Sequence, residues 1–491
     1  MMADKNFIRF SVLISISTSA VFTTSTCRNE INEELGKPNI LIILADDMGY
    51  RDIGCYGGIA RTPNIDNLAQ NGISFSNFYA AAPNCSPSRA ALLTGRAPSR
   101  IGMYSYRPPN HPMHLRSDEV TIAGILQEHG YQTSLFGKWH LGCLNQESGF
   151  NHPLPCELGF DYYFATEHNA EPSHINPENF VRNGVEVGKI DGSSAQILAD
   201  EAIMWIDNHK VNRRPFFMYV AFHEPHASTQ NAAPPDLVKN YNKYVGFSER
   251  DFNYLANVEN LDSACGRIIN HLIEKGLFDN TIIIFSSDNG SYRQASNAEL
   301  RAIKSYIYEG GIRVPGIFHW PALNSRVKTI VNEAAGQVDI FPTIFDILQI
   351  ETDPEITLDG TSIFSLLKGD DFLRESPLFW FFYRTLPEIA VRIDNYMIMG
   401  KDHDEIPRTH QFAARDMIYI KNMNIKEYEL YDLDLDISQS RNIIDRYKDA
   451  GFFIQVINEK LNDIQKSGYF WENLPDMEDR PRILKTEFNP Y

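Results

Sequence analysis

The sequence is short of positive charge. It has 45 lysine and arginine residues against 63 aspartate and glutamate residues, which gives a formal net charge of −18 at pH 7. Proteins that bind nucleic acids usually present a basic face, so this balance argues against that class. The excess of negative charge also repels anions at long range. An anionic substrate would therefore need a small local cluster of cations.

Long apolar runs are missing as well. The stretch Ser11–Phe22 follows Lys5 and Arg9, and its length fits a signal peptide but falls short of the ~20 residues that span a bilayer. We therefore expect residues 1–27 to be an export signal, which predicts a periplasmic or cell-surface protein. Cys27 is a candidate lipid-attachment site, but Thr24–Thr26 matches a lipobox loosely, so a cleaved soluble form stays equally open. Membrane contact is expected only if Cys27 is lipidated.

Cysteine is scarce, with 6 in 491 residues. Export permits disulfides, but a chain of this length buries a core large enough to fold without them, so we predict no particular pair. The hydrophobic fraction of 43% and the absence of internal repeats indicate an ordinary globular enzyme with two domains. With Cys27 and the helix-start Cys85 set aside, the cysteines whose pairing stays open are Cys55, Cys143, Cys156 and Cys265.

A reactive side chain, a helix start and a fixed cation lie close together in the stretch Asn84–Arg96. Pro87 suits the first turn of a helix, and the Ala-Ala-Leu-Leu run after Arg89 continues it, which places Cys85 at the helix N-terminus. Free backbone N–H groups there favour an anion, and Arg89 adds a forked donor suited to sulfate or phosphate oxygens. The stretch predicts a nucleophile site, although a lone Cys-x-Pro is more typical of a structural cysteine.

The same stretch contains Cys-x-Pro-Ser-Arg followed by Leu-x-Thr-Gly-Arg. Every position matches the signature of the formylglycine-dependent sulfatases, which the chain therefore resembles. In that family the cysteine is oxidised after synthesis to Cα-formylglycine, whose hydrated aldehyde supplies the attacking oxygen. The resemblance implies this modification at Cys85. It also implies a partner, either a formylglycine-generating enzyme or an anaerobic sulfatase-maturating enzyme.

Two apolar runs of strand length are each followed by polar residues whose side-chain oxygens could bind a metal ion. The runs Asn39–Ala45 and Thr281–Ser286 predict strands buried on both faces. The C-terminal edge of such a sheet is where α/β proteins bind ligands, and clustered hard oxygens suit Ca²⁺ or Mg²⁺. Each polar turn alone is equally typical of a solvated loop. The resemblance implies one Ca²⁺ ion bound by Asp46, Asp47, Asp288 and Asn289, together with Cys85.

Further motifs in the sequence resemble motifs of this family, and they contain lysine and histidine side chains that could act on an anionic substrate. A lysine and a histidine two apart on an extended segment can reach one anion, and the resemblance assigns Lys138 to sulfate and His140 to formylglycine. It assigns protonation of the leaving alcohol to His226, in the His-Glu-Pro-His turn after a buried strand. It also implies a sulfate-binding lysine at Lys304, with Ala302 standing where many members have glycine. The predicted catalytic set is Cys85, Arg89, Lys138, His140, His226 and Lys304.

The resemblance implies an α/β fold of the alkaline-phosphatase-like superfamily, with a central mixed sheet flanked by helices. We expect the catalytic domain over residues 37–370 and a smaller α+β subdomain over residues 376–491, where alternating segments predict an antiparallel sheet. Residues 145–192 are rich in Pro, Asn, His and Gly and predict a long irregular insertion over the site. Its polar side chains are candidates for contact with a sugar: His168, Asn169, His174 and Arg182.

These features together predict an exported sulfatase, a sulfuric ester hydrolase that acts on a sulfated saccharide of galactose or N-acetylgalactosamine type. One alternative is a phosphonate or phosphate monoester hydrolase of the same superfamily. Another is a non-catalytic exported protein that binds glycans. The complete set of catalytic residues weighs against this last alternative.

Overall fold

A computed structural model of the chain describes residues 36–144, 149–209, 214–227, 232–324, 330–351, 356–402, 412–472 and 474. The predicted export signal and Cys27 lie outside these residues. Within the described ranges, no helix combines the length and the apolar character that crossing a membrane requires.

Strands and helices alternate along most of the chain. The strands are β1 (Asn39–Asp46), β2 (Ile73–Phe75), β3 (Phe78–Tyr79), β4 (Gln132–Lys138), β5 (Tyr162–Thr166), β6 (Val181–Arg182), β7 (Val185–Glu186), β8 (Phe216–Pro225), β9 (Thr281–Ser287), β10 (Gly316–His319), β11 (Ile330–Val331), β12 (Ala335–Gly336), β13 (Leu378–Phe381), β14 (Ile389–Ile393), β15 (Tyr396–Lys401) and β16 (Glu427–Asp432). The α-helices are α1 (Pro63–Gln70), α2 (Cys85–Thr94), α3 (Ile122–Glu128), α4 (Ser194–Asn208), α5 (Pro235–Val238), α6 (Glu249–Glu274), α7 (Glu309–Ile312), α8 (Pro321–Asn324), α9 (Ile340–Leu348), α10 (Phe364–Lys368), α11 (Ala414–Asn422) and α12 (Ala450–Ser467).

One large mixed sheet organises the catalytic part, with the strand order β11-β2-β10-β9-β1-β8-β4-β5-β6-β7. Strand β1 pairs in parallel with β8 and β9, and β4 continues the parallel set beyond β8. Strand β10 runs antiparallel to β9. Every residue of β1 is buried, which is typical of a strand covered on both faces. The predicted central mixed sheet is confirmed, and the C-terminal ends of β9, β1, β8 and β4 meet at one edge.

Helices cover both faces of this sheet, because successive side chains of a strand point to opposite sides. Ile40 and Ile42 belong to one apolar cluster, together with residues of α2, α3 and α9. Leu41 and Ile43 belong to a second cluster, together with residues of α4 and α6. Burying each of these side chains contributes roughly 1.5–3 kcal/mol, so the sheet is held between two helical layers.

The C-terminal part contains a four-stranded sheet in the order β13-β14-β15-β16, with every neighbouring pair antiparallel. Phe453 of α12 packs on one face, with its ring centroid 5.3 Å from that of Tyr396. On the other face, Met397 and Met399 share an apolar cluster with Tyr79. The predicted C-terminal antiparallel sheet is confirmed, while the domain limits near residue 370 stay a prediction.

The expectation of a long irregular insertion over residues 145–192 is wrong for residues 162–166, 181–182 and 185–186, which form strands, while most of the other described residues of this segment are irregular. Strand β5 adds to the central sheet beside β4, and β6 and β7 extend it in hairpin fashion. Strand β5 has 5 residues, and polar segments surround it, so its hydrophobic pattern is too short to stand out. The sheet therefore brings the residues after β5 beside those after β4.

Cys143 and Cys156 form no disulfide bond with each other. Cys156 is an exposed free thiol, and Cys55 and Cys265 are free as well. Cys143 is buried, and its Sγ atom lies 2.7 Å from Nη2 of Arg107. Cys143 and Cys156 therefore lie in different environments.

Candidate active site

The predicted oxygen ligands come together at the C-terminal edge of the central strands. Asp46 ends β1, and Asp288 directly follows the neighbouring β9. The backbone N–H of Asp288 donates to the carbonyl oxygen of Ala45 at 3.0 Å. The backbone N–H of Asp47 donates to Oδ1 of Asp288 at 3.1 Å. These bonds tie the two strand ends together and aim their carboxylates into one buried space.

This space has the donor set of a metal site. Ligand atoms of Asp46, Asp47, Cys85 and Asp288 all lie within 4.8 Å of one another, and all four residues are buried. Oδ1 of Asp46 and Oδ1 of Asn289 have no hydrogen-bond partner among the described residues. Buried oxygens without a donor are costly, and oxygen clusters of this kind suit a hard divalent cation such as Ca²⁺. The residues present therefore fit such an ion.

The electrostatics of the carboxylates support the same fit. Burial, together with the adjacent Asp46 carboxylate, raises the pKa of Asp288 to about 7. Burial also opposes ionisation of Asp46, but Lys138, His226 and Arg89 outweigh it and hold the pKa of Asp46 well below its ordinary value. Crowded buried carboxylates of this sort favour a cation among them.

Cys85 is the first residue of α2, as the sequence predicts, and Asn84 occupies the N-cap position in an extended conformation, without a hydrogen bond from the helix to its side chain. Nζ of Lys304 lies 3.4 Å from the sulfur atom. Burial raises the pKa of the Cys85 thiol to about 12, because it outweighs the nearby lysines Lys138 and Lys304. The thiol therefore stays protonated at neutral pH and is a poor nucleophile in its unmodified form.

The predicted cations converge on this helix start. Arg89 is completely buried, and its Nε and Nη2 atoms donate to Oδ2 of Asp288 at 3.0 and 2.7 Å. Nζ of Lys138 donates to Oδ2 of Asp46 at 2.6 Å. Nζ of Lys304 donates to both carboxylate oxygens of Asp47 at 2.6 and 2.7 Å. The acidic protein thus has the local cluster of cations that an anionic substrate needs.

A tight turn that contains Ala302 positions Lys304. Ala302 has a φ of +66°, in the left-handed region that glycine adopts without steric cost. A glycine at this position would adopt the same conformation without that cost. The backbone N–H of Lys304 donates to the carbonyl oxygen of Ser291 at 3.0 Å, so the turn still holds the lysine at the site despite the extra methyl group.

His140 is fixed as a neutral ring with a defined proton. Its Nε2 atom lies 2.9 Å from the carbonyl oxygen of Arg107, and a carbonyl can only accept, so Nε2 carries the hydrogen. Burial and the neighbouring Lys138 hold the pKa of His140 well below its ordinary value. Its Nδ1 atom is buried and has no partner among the described residues. Nδ1 therefore presents a lone pair.

The backbone at His140 differs from the expectation. Its φ is +56°, so Lys138 and His140 do not lie on one extended segment. Strand β4 ends at Lys138, and the backbone N–H of His140 donates to the carbonyl oxygen of Glu167 at 2.9 Å. The turn, and not strand alternation, sets the direction of the ring.

His226 follows β8 directly and faces the carboxylates. Its Nδ1 atom lies 2.9 Å from the carbonyl oxygen of Ala227, so Nδ1 carries a hydrogen. Its Nε2 atom lies 3.4 Å from Oδ2 of Asp47. Burial lowers the pKa of His226, while Asp47 and Asp46 oppose that change. A further negative charge beside Nε2 would favour the protonated ring.

Several residues of the site carry no signal in the sequence. Arg107 holds His140 through its carbonyl group, and its Nη1 atom donates to Oε1 of Glu167 at 2.7 Å. The hydroxyl of Tyr254 donates to the carbonyl oxygen of Asp47 at 3.0 Å. These contacts depend on tertiary folding, because Arg107 lies in a segment without regular structure and Tyr254 lies within the long helix α6.

The candidate sugar contacts separate into two groups. The ring of His168 meets that of His140 edge to face, with centroids 4.7 Å apart, and Oδ1 of Asn169 accepts from Nζ of Lys138 at 3.0 Å. His174 is completely buried, and neither ring nitrogen has a partner among the described residues. Arg182 belongs elsewhere, because its guanidinium donates to both carboxylate oxygens of Glu201 at 2.6 and 2.7 Å.

The fold and the buried oxygen cluster at the strand ends define a hydrolase of the alkaline-phosphatase-like superfamily. The family model described as Sulfatase matches residues 38–350, and the model described as N-sulphoglucosamine sulphohydrolase, C-terminal, matches residues 302–467. The chain belongs to the sulfatase family, and it is a sulfuric ester hydrolase.

Individual relatives extend over most of the chain. Human arylsulfatase A is 31% identical over 450 residues, which cover 83% of this chain and 83% of that protein. The N-acetylgalactosamine-6-sulfatase of Canis lupus familiaris is 31% identical over 393 residues, which cover 73% of this chain and 71% of that protein. The crystal structure of Ps i-CgsB in complex with k-i-k-neocarrahexaose has a TM-score of 0.74 and 27% identity, covering 88% of this chain and 94% of that one. The predicted family and class of enzyme are confirmed.

Proposed function

We propose that this sulfatase is exported and removes sulfate from a carbohydrate, with formylglycine at position 85 and one Ca²⁺ ion. The observation that carries the proposal is the convergence of Arg89, Lys138 and Lys304 on the buried start of α2, beside the oxygen cluster. In the overall reaction water is consumed, the ester link between the sugar oxygen and sulfur breaks, and sulfate and the free hydroxyl leave.

The modification of Cys85 has a physical argument beside its signature. A thiol with a pKa of about 12 offers almost no thiolate at neutral pH. Conversion to Cα-formylglycine supplies a hydrated aldehyde whose hydroxyl oxygen attacks sulfur. The proposal therefore includes a maturation enzyme as a partner, of the formylglycine-generating or the anaerobic sulfatase-maturating kind.

The oxygen cluster would hold the calcium ion through Asp46, Asp47, Asp288 and Asn289, next to position 85. When bound, the ion supplies positive charge that stabilises the sulfuryl oxygens. The described donors are carboxylate and amide oxygens with one sulfur, a set that suits a hard cation better than zinc.

Three side chains of the chain itself neutralise the anion. The guanidinium of Arg89 is held by Asp288, which fixes its direction. Asp47 outweighs burial and holds the pKa of Lys304 well above its ordinary value, so this lysine is charged when substrate arrives. Lys138 and Lys304 would exchange part of their contact with Asp46 and Asp47 for sulfate oxygens. Fixed donors of this kind stabilise the charge that develops in the transition state.

We assign the proton transfers of this reaction to two histidines. His226 gives a proton from Nε2 to the departing sugar oxygen, and an anionic substrate favours the protonated ring needed for this step. His140 would accept a proton at Nδ1, the nitrogen that its bond to Arg107 leaves with a lone pair. That proton would come from the remaining hydroxyl at position 85, whose loss of it lets sulfate leave and restores the aldehyde. Both roles come from the family resemblance, and the backbone contacts of the two rings support them by fixing which nitrogen carries a hydrogen.

The saccharide substrate is supported by the polar groups beside the cations. His168 and Asn169 touch the catalytic residues His140 and Lys138. His174 offers one donor and one acceptor without partners among the described residues. A sugar needs several such contacts around the leaving alcohol, and a relative at 31% identity is an N-acetylgalactosamine-6-sulfatase. We therefore favour a sulfated galactose or N-acetylgalactosamine unit.

The test is a desulfation screen over defined sulfated mono- and oligosaccharides, with release of free sulfate as the readout. We expect turnover of at least one sulfated galactose or N-acetylgalactosamine compound. A parallel assay compares 4-nitrophenyl sulfate with 4-nitrophenyl phosphate at one pH. Faster hydrolysis of the phosphate, with no sulfated sugar turned over, would contradict the proposal.

A further inference from the structure

A second cleft lies where the segment after β4 meets the residues that follow α12. It has a volume of about 420 Å³ and is lined mainly by rings: His114, Phe150, His152, Tyr469 and Trp471. It contains none of the catalytic residues. Neither the carbohydrate proposal nor the sulfatase mechanism uses this cleft.

The rings form an ordered wall. His114 and His152 stack with centroids 4.3 Å apart and an interplanar angle of 26°. Phe150 continues the stack on His152 at 5.3 Å and 10°. Trp471 tilts against His114 at 5.1 Å, and its Nε1 atom donates to the carbonyl oxygen of Gly102 at 2.9 Å. The indole is therefore fixed in place before any ligand binds.

The cleft carries polar groups but no cation. Asn151 and Glu472 lie at its walls, and no lysine or arginine lines it within the described residues. Burial lowers the pKa of His114, and burial with the adjacent His114 ring lowers that of His152 to about 3, so both rings are neutral. A sulfated ring would meet the carboxylate of Glu472 without a compensating charge. A neutral ring would meet apolar faces and hydrogen-bonding groups.

Two cations lie against rings that line the cleft. Nζ of Lys421 lies 4.6 Å from the centroid of the Phe470 ring, and the second cation, Arg116, is already occupied. The guanidinium of Arg116 stacks over Tyr469 at 3.8 Å from the ring centroid. Its Nε atom donates to Asp118 at 2.9 Å, and its Nη2 atom contacts Glu119. Arg116 therefore supports the ring of Tyr469. Its charge is largely neutralised by Asp118 and Glu119, so it would attract an anion in the cleft only weakly.

A short path of contacts joins the cleft to the catalytic site. Nδ1 of His152 accepts from the backbone N–H of Cys143 at 3.1 Å. Nη2 of Arg107 lies 2.7 Å from Sγ of Cys143, and the carbonyl oxygen of Arg107 accepts from His140. Contacts through Cys143 and Arg107 therefore link the wall of the cleft to His140.

We propose that this cleft binds an unsulfated sugar unit of the same glycan whose sulfated unit occupies the catalytic site. The chemistry is that of a pyranose ring, whose C–H face packs on aromatic rings while its hydroxyls bond to Asn151 and Glu472. This inference rests on the proposed saccharide substrate and adds a second point of recognition. The enzyme would then prefer oligosaccharides to sulfated monosaccharides.

Binding of unsulfated galactose and N-acetylgalactosamine tetrasaccharides to the full chain, measured by isothermal titration calorimetry, tests the cleft without any catalytic step. We expect one of them to bind, and Trp471→Ala and Phe150→Ala to weaken binding by about two- to tenfold, the range for one aromatic contact. Phe150→Ala leaves the indole bond to Gly102 intact, so it keeps the test valid if Trp471→Ala folds poorly. Phe452→Ala removes an exposed ring on α12 outside the cleft and should bind as the wild type does.

A kinetic comparison separates this inference from the proposed substrate. The ratio of kcat/KM on a tetrasaccharide with one terminal sulfate to that on the sulfated monosaccharide should exceed one and fall in Phe150→Ala. A ratio of one in the wild type, or no calorimetric binding of either tetrasaccharide, would overturn the cleft as a sugar site. Binding of a tetrasaccharide without desulfation of any saccharide would support the cleft and contradict the proposed catalytic substrate.

Discussion

The Nε2 atom of His140 lies 2.9 Å from the carbonyl oxygen of Arg107. Because that oxygen can only accept, the ring must carry its hydrogen on Nε2 and present a lone pair on Nδ1. No motif in the sequence around Arg107 predicts this hydrogen bond. A backbone group far from the signature segments thus decides which nitrogen of a predicted catalytic histidine can accept a proton.

Removal of the His140 ring should lower kcat far more than it changes KM. His140→Ala deletes the proton acceptor but leaves Arg89, Lys138 and Lys304 in place, so we expect kcat to fall by about 10²- to 10⁴-fold. Steady-state kinetics on an aryl sulfate provide the measurement. His129→Ala, which removes an exposed histidine at the end of α3, is the matched control. A wild-type kcat in His140→Ala would show that Nδ1 accepts no proton in the slow step.

Metal content should depend on the carboxylate of Asp288. Asp288→Ala removes an oxygen ligand and frees Arg89, so the purified variant should lose both calcium and activity. Elemental analysis reports the metal independently of turnover. Asp236→Ala, an aspartate whose side chain is 92% exposed, should keep both. Zinc in place of calcium in the wild type would contradict the assignment of the site.

The proposed contact between His174 and the sugar predicts a change in preference between substrates. His174→Ala should lower kcat/KM on a sulfated sugar by about tenfold or more, since buried groups built to hydrogen-bond a substrate discriminate strongly. The loss on 4-nitrophenyl sulfate should be smaller, because that substrate makes no sugar contacts. Arg182→Ala serves as the comparison, because this arginine pairs with Glu201 away from the site. Equal losses on both substrates in His174→Ala would assign the residue a structural role.

The stability of the fold should fall as the pH rises through the titration of Glu224. Oε1 of this carboxyl accepts from the backbone N–H of Ala195 at 2.9 Å, and burial raises its pKa from 4.5 to about 7. Between these values the folded state binds more protons than the unfolded state, so the free energy of unfolding decreases with increasing pH. The stabilisation that comes from holding a proton on Glu224 is fully present below about pH 4.5 and is lost above about pH 7.

Glu224→Gln isolates this contribution from those of other groups. The glutamine amide does not titrate, so this pH dependence of the free energy of unfolding should be absent in the variant. From pH 5 to pH 8, the difference in free energy of unfolding between variant and wild type should shift in favour of the variant by up to about 3 kcal/mol. Denaturant unfolding at the two pH values provides the comparison. Parallel stability curves for the two proteins would mean that Glu224 titrates normally in the folded state.

The sequence predicts those parts of the site that lie directly at the ends of regular elements. Asp46 and Asp288 follow buried strands, and Cys85 begins a helix with proline in its first turn, so local patterns locate them. The roles of these residues come from the family resemblance and not from the patterns. The buried faces of β1 follow from its uninterrupted apolar run in the same way.

Other features depend on distant parts of the chain. Strand β5 is short and gains its stability from pairing with β4, which a local pattern does not report. Helix α3 begins at Ile122, because the hydroxyl of Thr121 caps it by accepting from the N–H of Gly124. The raised pKa of Asp288 likewise follows from burial beside Asp46, which only the folded chain brings about.

The state of residue 85 in active protein tests the central claim most directly. Peptide mass spectrometry of the segment that contains Cys85, on protein purified from a host with a maturation enzyme, measures it. The account predicts Cα-formylglycine at this position, with the modified fraction rising in proportion to specific activity across preparations, and no activity in a folded Cys85→Ala variant. Fully active protein in which position 85 is only cysteine would contradict the account.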